Sequence, residues 1–129
     1  MIRPTFTTIL TNYILIIKGD KERQMYNDMI FKGRFIWNRL KAEANQKKHG
    51  ITFESAIEVF DDPFFIEEYD EVNSENEDRY NITGFLKGMY ITVSFTLRDN
   101  LTRIFSARKA DIEEEGAYDE NIRRYIGKR

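Results

Sequence analysis

The 129-residue chain has no cysteine, one histidine and two prolines. Without cysteine there is no disulfide framework and no thiolate metal site, so the fold must rest on packing, and the chain suits a reducing cytoplasm. A single histidine also removes the usual zinc donor sets. Carboxylates are the only plentiful ligands, and they suit magnesium or calcium rather than zinc. We expect no metal and no cofactor. The sequence also lacks a glycine-rich phosphate loop, a nucleophile elbow and a paired-histidine motif, which excludes the P-loop, dinucleotide-binding, α/β-hydrolase and zincin chemistries. Its apolar run at 8–17 is ten residues long, about half of what a membrane span needs. No small-residue cleavage site follows it, so neither a membrane nor secretion is expected.

What is present is charge, unevenly placed. Residues 32–53 carry a net +5 and 80–110 a net +4, while 54–79 carry −10, from eleven acidic residues against one basic. An overall balance of −2 therefore hides two basic segments able to hold phosphate, unless they are merely solvated faces. The length fits one domain, which we place at 29–129. Residues 1–28 read as an N-terminal extension. It is either an added edge strand over 8–17 or a stretch upstream of the true start, with Met25 or Met29 as initiator.

The remaining pattern predicts an α+β fold. A short strand at 33–37 leads to Asn38, which is placed to cap a helix that runs to His49 and stops at Gly50, a residue suited to the left-handed conformation after a helix end. On that helix Lys41, Asn45 and Lys48 fall at i, i+4 and i+7 and share a face. Thr52 can cap a second helix with Phe53, Ala56, Ile57 and Phe60 on its core side, stopped by the proline at 63. A strand at 64–69 and an acidic loop at 70–78 come next. Ile91, Val93, Phe95 and Leu97 then alternate with Thr92, Ser94 and Thr96, as in a strand with one buried face. With flanking strands at 79–86 and 101–107, joined by turns at Lys87 and Gly88 and at Asp99 and Asn100, this makes an antiparallel meander. A last helix, capped by Asp111, is acidic at its start and basic at its end, which complements the helix dipole.

The residues available for chemistry are His49, its neighbours Lys41, Lys47 and Lys48, Glu54, and the arginines 79, 98, 103 and 108. They fit phosphodiester cleavage in RNA without a metal. That reaction needs a base for the 2′-hydroxyl proton, an acid for the leaving oxygen, and fixed cations beside the charge growing on phosphorus. Arginine suits the last task because its planar fork grips two phosphate oxygens. Each residue also has a plainer reading: a histidine favoured by the last helix carbonyls, a glutamate complementing a helix N-terminus, arginines paired with the acidic loop.

The block from Phe35 to Pro63, followed by EDRYNITG and LTRIFSARKA, resembles the BrnT family of type II toxin-antitoxin ribonuclease toxins. The residues that carry the likeness include Trp37, Lys41, Asn45, Lys48, His49, Gly50, Phe53, Glu54, Ala56, Asp62, Pro63, Arg79, Gly84, Arg103, Ser106, Arg108 and Lys109. The resemblance implies a RelE-like fold and an endoribonuclease that arrests translation. It also implies neutralisation by a ribbon-helix-helix antitoxin similar to BrnA, through which the pair binds its operator DNA. By the same carry-over His49, Glu54, Arg79, Arg103 and Arg108 form the catalytic set, with His49 or Glu54 moving protons and the arginines on the scissile phosphate. Lys41, Asn45 and Lys48 are the expected substrate-binding residues. The rival expectation is a non-catalytic binding module that holds an antitoxin and takes part in operator autoregulation. Three features depart from the family pattern: the surplus N-terminal residues, Thr83 before Gly84 where the family tends to have an apolar residue, and the acidic start of the last helix.

Overall fold

The computed structural model describes residues 27–127; the apolar run at 8–17 lies outside them. The first two strands, β1 (Met29–Lys32) and β2 (Phe35–Asn38), form a hairpin around Gly33, whose φ of 59° suits a residue without a Cβ. Asn38 ends β2 and starts helix α1 (Arg39–His49): its side-chain oxygen accepts the Lys41 N–H at 3.0 Å. Gly50 closes α1 at φ 73°, donating to the Gln46 carbonyl. Thr52 then caps α2 (Phe53–Ala56) by accepting the Ser55 N–H.

From Ile57 to Asp61 the chain tightens into a 3₁₀ turn, which changes the expected core stripe. Ile57 and Phe60 pack against the core while staying partly exposed, and it is Val59 that joins Phe53 and Ala56 in full burial. These three positions are spaced by three, the period at which side chains eclipse in a 3₁₀ helix.

Strands β3 (Ile66–Tyr69), β4 (Tyr80–Leu86), β5 (Met89–Arg98) and β6 (Leu101–Lys109) complete a six-stranded sheet of order β1-β2-β6-β5-β4-β3. The expected meander is present, and both its turns carry two residues of positive φ, the geometry that matches strand twist. The sheet is mixed, however, because β2 runs parallel to β6 through Phe35 opposite Thr102 and Ile36 opposite Arg103.

One face of the sheet carries Trp37, Ile82, Ile91, Val93, Phe95, Ile104 and Ala107, packed against Phe53 and Ala56 of α2, Val59 of the 3₁₀ turn and Ile51 of the loop before them. The rings of Trp37 and Phe53 meet edge to face at 6.0 Å, as do Phe60 and Phe95 at 5.1 Å. Contrary to the expectation of one open face, Thr83, Thr92 and Thr96 on the other side are also buried. Part of their cover is helix α3 (Ile112–Gly127), the last described element. Tyr118 of α3 stacks edge-on with Tyr90, and Asp119 accepts the Tyr90 hydroxyl at 2.8 Å. Among the described residues no helix is long and apolar enough to cross a membrane.

Candidate active face

The site is built by an irregularity in β6. Its pairing with β5 runs Arg103 to Thr96 and Ile104 to Phe95, then resumes with Ser106 to Ser94, Ala107 to Val93 and Arg108 to Thr92. Phe105 is therefore an extra residue, a β-bulge. Side chains alternate along a strand, so Arg103 and Arg108, five positions apart, would point to opposite faces of a regular strand. The extra residue restores the phase and puts both on the face away from the core. Arg79 comes to the same side because its neighbour Tyr80, opposite Phe95, faces the core.

Beneath these arginines lies a floor of hydroxyls and amides. Ser94 donates to the Asn81 side-chain oxygen at 2.6 Å, the Thr83 and Thr92 hydroxyls meet at 2.7 Å, and Thr96 donates to the Asp78 carbonyl. These cross-strand contacts satisfy the polar groups that burial on this face would otherwise leave exposed to no water.

The three arginines differ in their surroundings. The Arg79 guanidinium carbon sits 4.0 Å from the centre of the Phe105 ring, its Nε is buried without a hydrogen-bond acceptor, and its nearest carboxylate, Glu77, is 4.0 Å away. Arg103 lies over the same ring at 5.5 Å and makes no hydrogen bond or ion pair with another described residue. Arg108 is engaged. Its two terminal nitrogens reach the Glu114 carboxylate at 2.7 and 3.1 Å, and one also donates to the Lys109 carbonyl.

Glu114 belongs to a capping box at the start of α3. Its carboxylate accepts the Asp111 N–H at 2.9 Å, while Asp111 accepts the Glu114 N–H at 2.8 Å. The hydrogen bond from Glu114 raises the Arg108 pKa against the lowering effect of burial. Burial pushes Glu114 up, but the bonds from Arg108 and the Asp111 N–H outweigh it and hold the carboxyl below its ordinary value.

His49 and Glu54 belong to the two helices that pack on the core and, through Asn45, on the edge of β6 at Ala107, next to Arg108. His49 is half-buried at the end of α1 and Glu54 exposed in the first turn of α2; neither side chain makes a hydrogen bond or ion pair with another described residue. The structure thus brings Arg79 and Arg103 together, sets Arg108 on their face in the grip of α3, and leaves the side chains of His49 and Glu54 on the helices without a hydrogen bond or ion pair to any of the three.

Nor do Lys41, Asn45 and Lys48 form one exposed stripe. The lysines are exposed, whereas Asn45 is 8% exposed. Its amide nitrogen donates to the carbonyls of Ile51 and Ala107 at 3.1 and 2.9 Å, and its oxygen accepts the Ala107 N–H at 3.1 Å. Asn45 thus pairs with the edge of β6 as a short strand would, where β2 has already ended.

Asp62 plays a comparable part on the other side of the meander. It accepts the N–H groups of Phe64 and Phe85, each at 2.8 Å, and the Tyr118 hydroxyl at 2.7 Å, tying the 3₁₀ turn to β4 and α3. Burial and the Asp62 carboxylate push the Tyr118 phenol above its ordinary range. A Cβ at residue 84 would stand 2.9 Å from Val59 Cγ1 and 3.0 Å from Asp62 Oδ2, which explains the glycine there.

Sequence reasoning missed the roles of Phe105 and Glu114. The capping-box pattern of Asp111 and Glu114 was a visible signal for the second; the first required the strand register.

Among known proteins, the family model described as "Ribonuclease toxin, BrnT, of type II toxin-antitoxin system" matches residues 37–114, more than half of the chain. That span runs from the Trp37 strand to Glu114. No curated protein matches the chain.

Proposed function

Since the chain belongs to the BrnT family of ribonuclease toxins of type II toxin-antitoxin systems, we propose that it cuts RNA at this arginine face by acid–base chemistry, without a metal. The observation that carries the reading is the placement of Arg79, Arg103 and Arg108 on one face over a hydroxyl-lined floor. An RNA phosphate drawn there meets guanidinium groups that stabilise the charge developing as the 2′-oxygen bonds to phosphorus. The bond to the 5′-oxygen then breaks, and that oxygen leaves with a proton. Products are a 2′,3′-cyclic phosphate and a free 5′-hydroxyl.

His49 and Glu54 are the groups for proton transfer, supported by their place in the family pattern and by their freedom from partners among the described residues. Lys41 and Lys48, exposed on the same helix as His49, guide the RNA strand. Asn45 acts indirectly, by fixing α1 to β6.

Membership of a type II family carries with it an antitoxin partner. In our reading that partner is a ribbon-helix-helix protein which joins the chain to operator DNA, and the toxin acts on RNA in the cytoplasm, arresting translation.

The test is to incubate the purified chain, free of antitoxin and in excess chelator, with total RNA or translating ribosomes. Fragments ending in cyclic phosphate are expected, and their loss in His49→Ala and Arg103→Ala. Intact RNA with the wild type, or equal cutting by those variants, defeats the proposal.

One observation favours a second reading, the non-catalytic module that holds an antitoxin: the side chains of His49 and Glu54 form no hydrogen bond or ion pair with any of the arginines. It predicts a stable antitoxin complex and no growth arrest when the chain is expressed alone.

A further inference from the structure

The three arginines are not equivalent, and the difference turns on Phe105. The bulge places this ring where two guanidinium groups converge on it, Arg79 at 4.0 Å and Arg103 at 5.5 Å from its centre. Their charges therefore lie within about 10 Å of each other, one Debye length at ~0.1 M salt, and repel. An aromatic face offsets part of that repulsion through its negative quadrupole. It also restricts each guanidinium to a plane over the ring.

Carboxylates do little to neutralise this pair. Glu77 stands 4.0 Å from Arg79 and is shared with Arg98 at 3.8 Å, and Arg103 has no ion pair among the described residues. The Arg79 Nε is a buried donor with no acceptor among the described residues. Arg108 is the opposite case, because both its terminal nitrogens are already spent on Glu114. A phosphate at Arg108 would have to share that guanidinium with the Glu114 carboxylate, whose charge repels it.

We infer that Arg79 and Arg103, converging on the bulged Phe105, form the phosphate seat of this face, with Phe105 as the residue that positions them and Arg108 outside the seat. This rests on the ribonuclease reading only for naming the phosphate as that of RNA. The seat takes a phosphodiester in single-stranded nucleic acid, and its two donors approach from either side of β5, Arg79 from the start of β4 and Arg103 from β6, so they grip different oxygens.

The experiment follows the arginine Nε–H resonances of the full chain by nuclear magnetic resonance during titration with a single-stranded DNA oligonucleotide, which lacks the 2′-hydroxyl and cannot be cut. The Arg79 and Arg103 signals should move with the oligonucleotide and the Arg108 signal stay. Arg79→Gln and Arg103→Gln should each reduce the slope of log affinity against log salt by about one. Phe105→Leu should weaken binding several-fold, and Phe105→Trp, which keeps a ring, should restore it.

Movement of the Arg108 signal with the other two overturns the inference, as does equal binding by Phe105→Leu and the wild type. The wild-type titration needs no variant to fold. Binding through Arg79 and Arg103 without any cutting of RNA defeats the ribonuclease reading and leaves the seat standing. Cutting of RNA with those two signals unmoved defeats the seat alone.

Discussion

The Arg108 guanidinium faces the Glu114 carboxylate at 2.7 and 3.1 Å, and the same carboxylate closes the capping box of α3. Glu114→Gln should cost about 1–2 kcal/mol, seen as a lower melting temperature, because it weakens a charge-assisted contact. Arg108→Gln should cost a similar amount. The double variant should fall little below either single one, as coupled partners require. The pH dependence follows from the lowered Glu114 pKa. The contribution is present above the unfolded value near 4.5 and is lost as pH falls through the lower folded value. Acid titration of stability should therefore be steeper below that point for the wild type than for Glu114→Gln.

Asn45→Ala should leave the Ala107 N–H and two buried carbonyls without partners. A loss of about 2–3 kcal/mol is expected in denaturant unfolding. Oligonucleotide affinity of the folded protein should be unchanged, since both amide N–H donors are already used and none is left for a phosphate. A selective loss of affinity at full stability would show that Asn45 contacts substrate after all.

At residue 84 the neighbours leave no room for a methyl group. Gly84→Ala should destabilise by about 1–3 kcal/mol as Val59 and Asp62 are pushed aside. Combining it with Val59→Ala should recover part of the loss, which thermal unfolding of the two variants will reveal.

For His49→Ala and Glu54→Ala the expectation is reversed. Neither side chain holds the described fold together by a hydrogen bond or ion pair, so melting temperatures should stay close to the wild type. Cleavage rate should fall by about 10²–10⁴-fold for the residue that transfers a proton. A variant with full activity identifies a group the reaction does not use.

Much of the fold could be read from residues because its signals are local. Asn38, Gly50 and Thr52 set helix ends through their own hydrogen bonds and dihedral angles, and the two-residue turns set the meander. What could not be read depends on distant partners. The parallel contact of β2 with β6 joins Ile36 to Arg103 across most of the domain. Asn45 looks solvent-facing in its own helix and is buried only because Ala107 lies beside it. The arginines were identifiable as phosphate ligands by type. Their inequality was not, since it depends on where Phe105 and Glu114 stand.

The bulge in β6 makes the spacing between its arginines a structural instruction. An odd separation on one face means that an unpaired residue lies between them. Deleting residue 105 would leave four steps between them, an even spacing that a regular strand keeps on one face, so Ser106, Ala107 and Arg108 would stay opposite Ser94, Val93 and Thr92. Only the ring under the arginines would be lost. The bulge is thus a spare step: the strand can lose one residue here without turning a side chain over, and a second loss would turn Arg108 toward the layer of Val93 and put Ala107 on the arginine side.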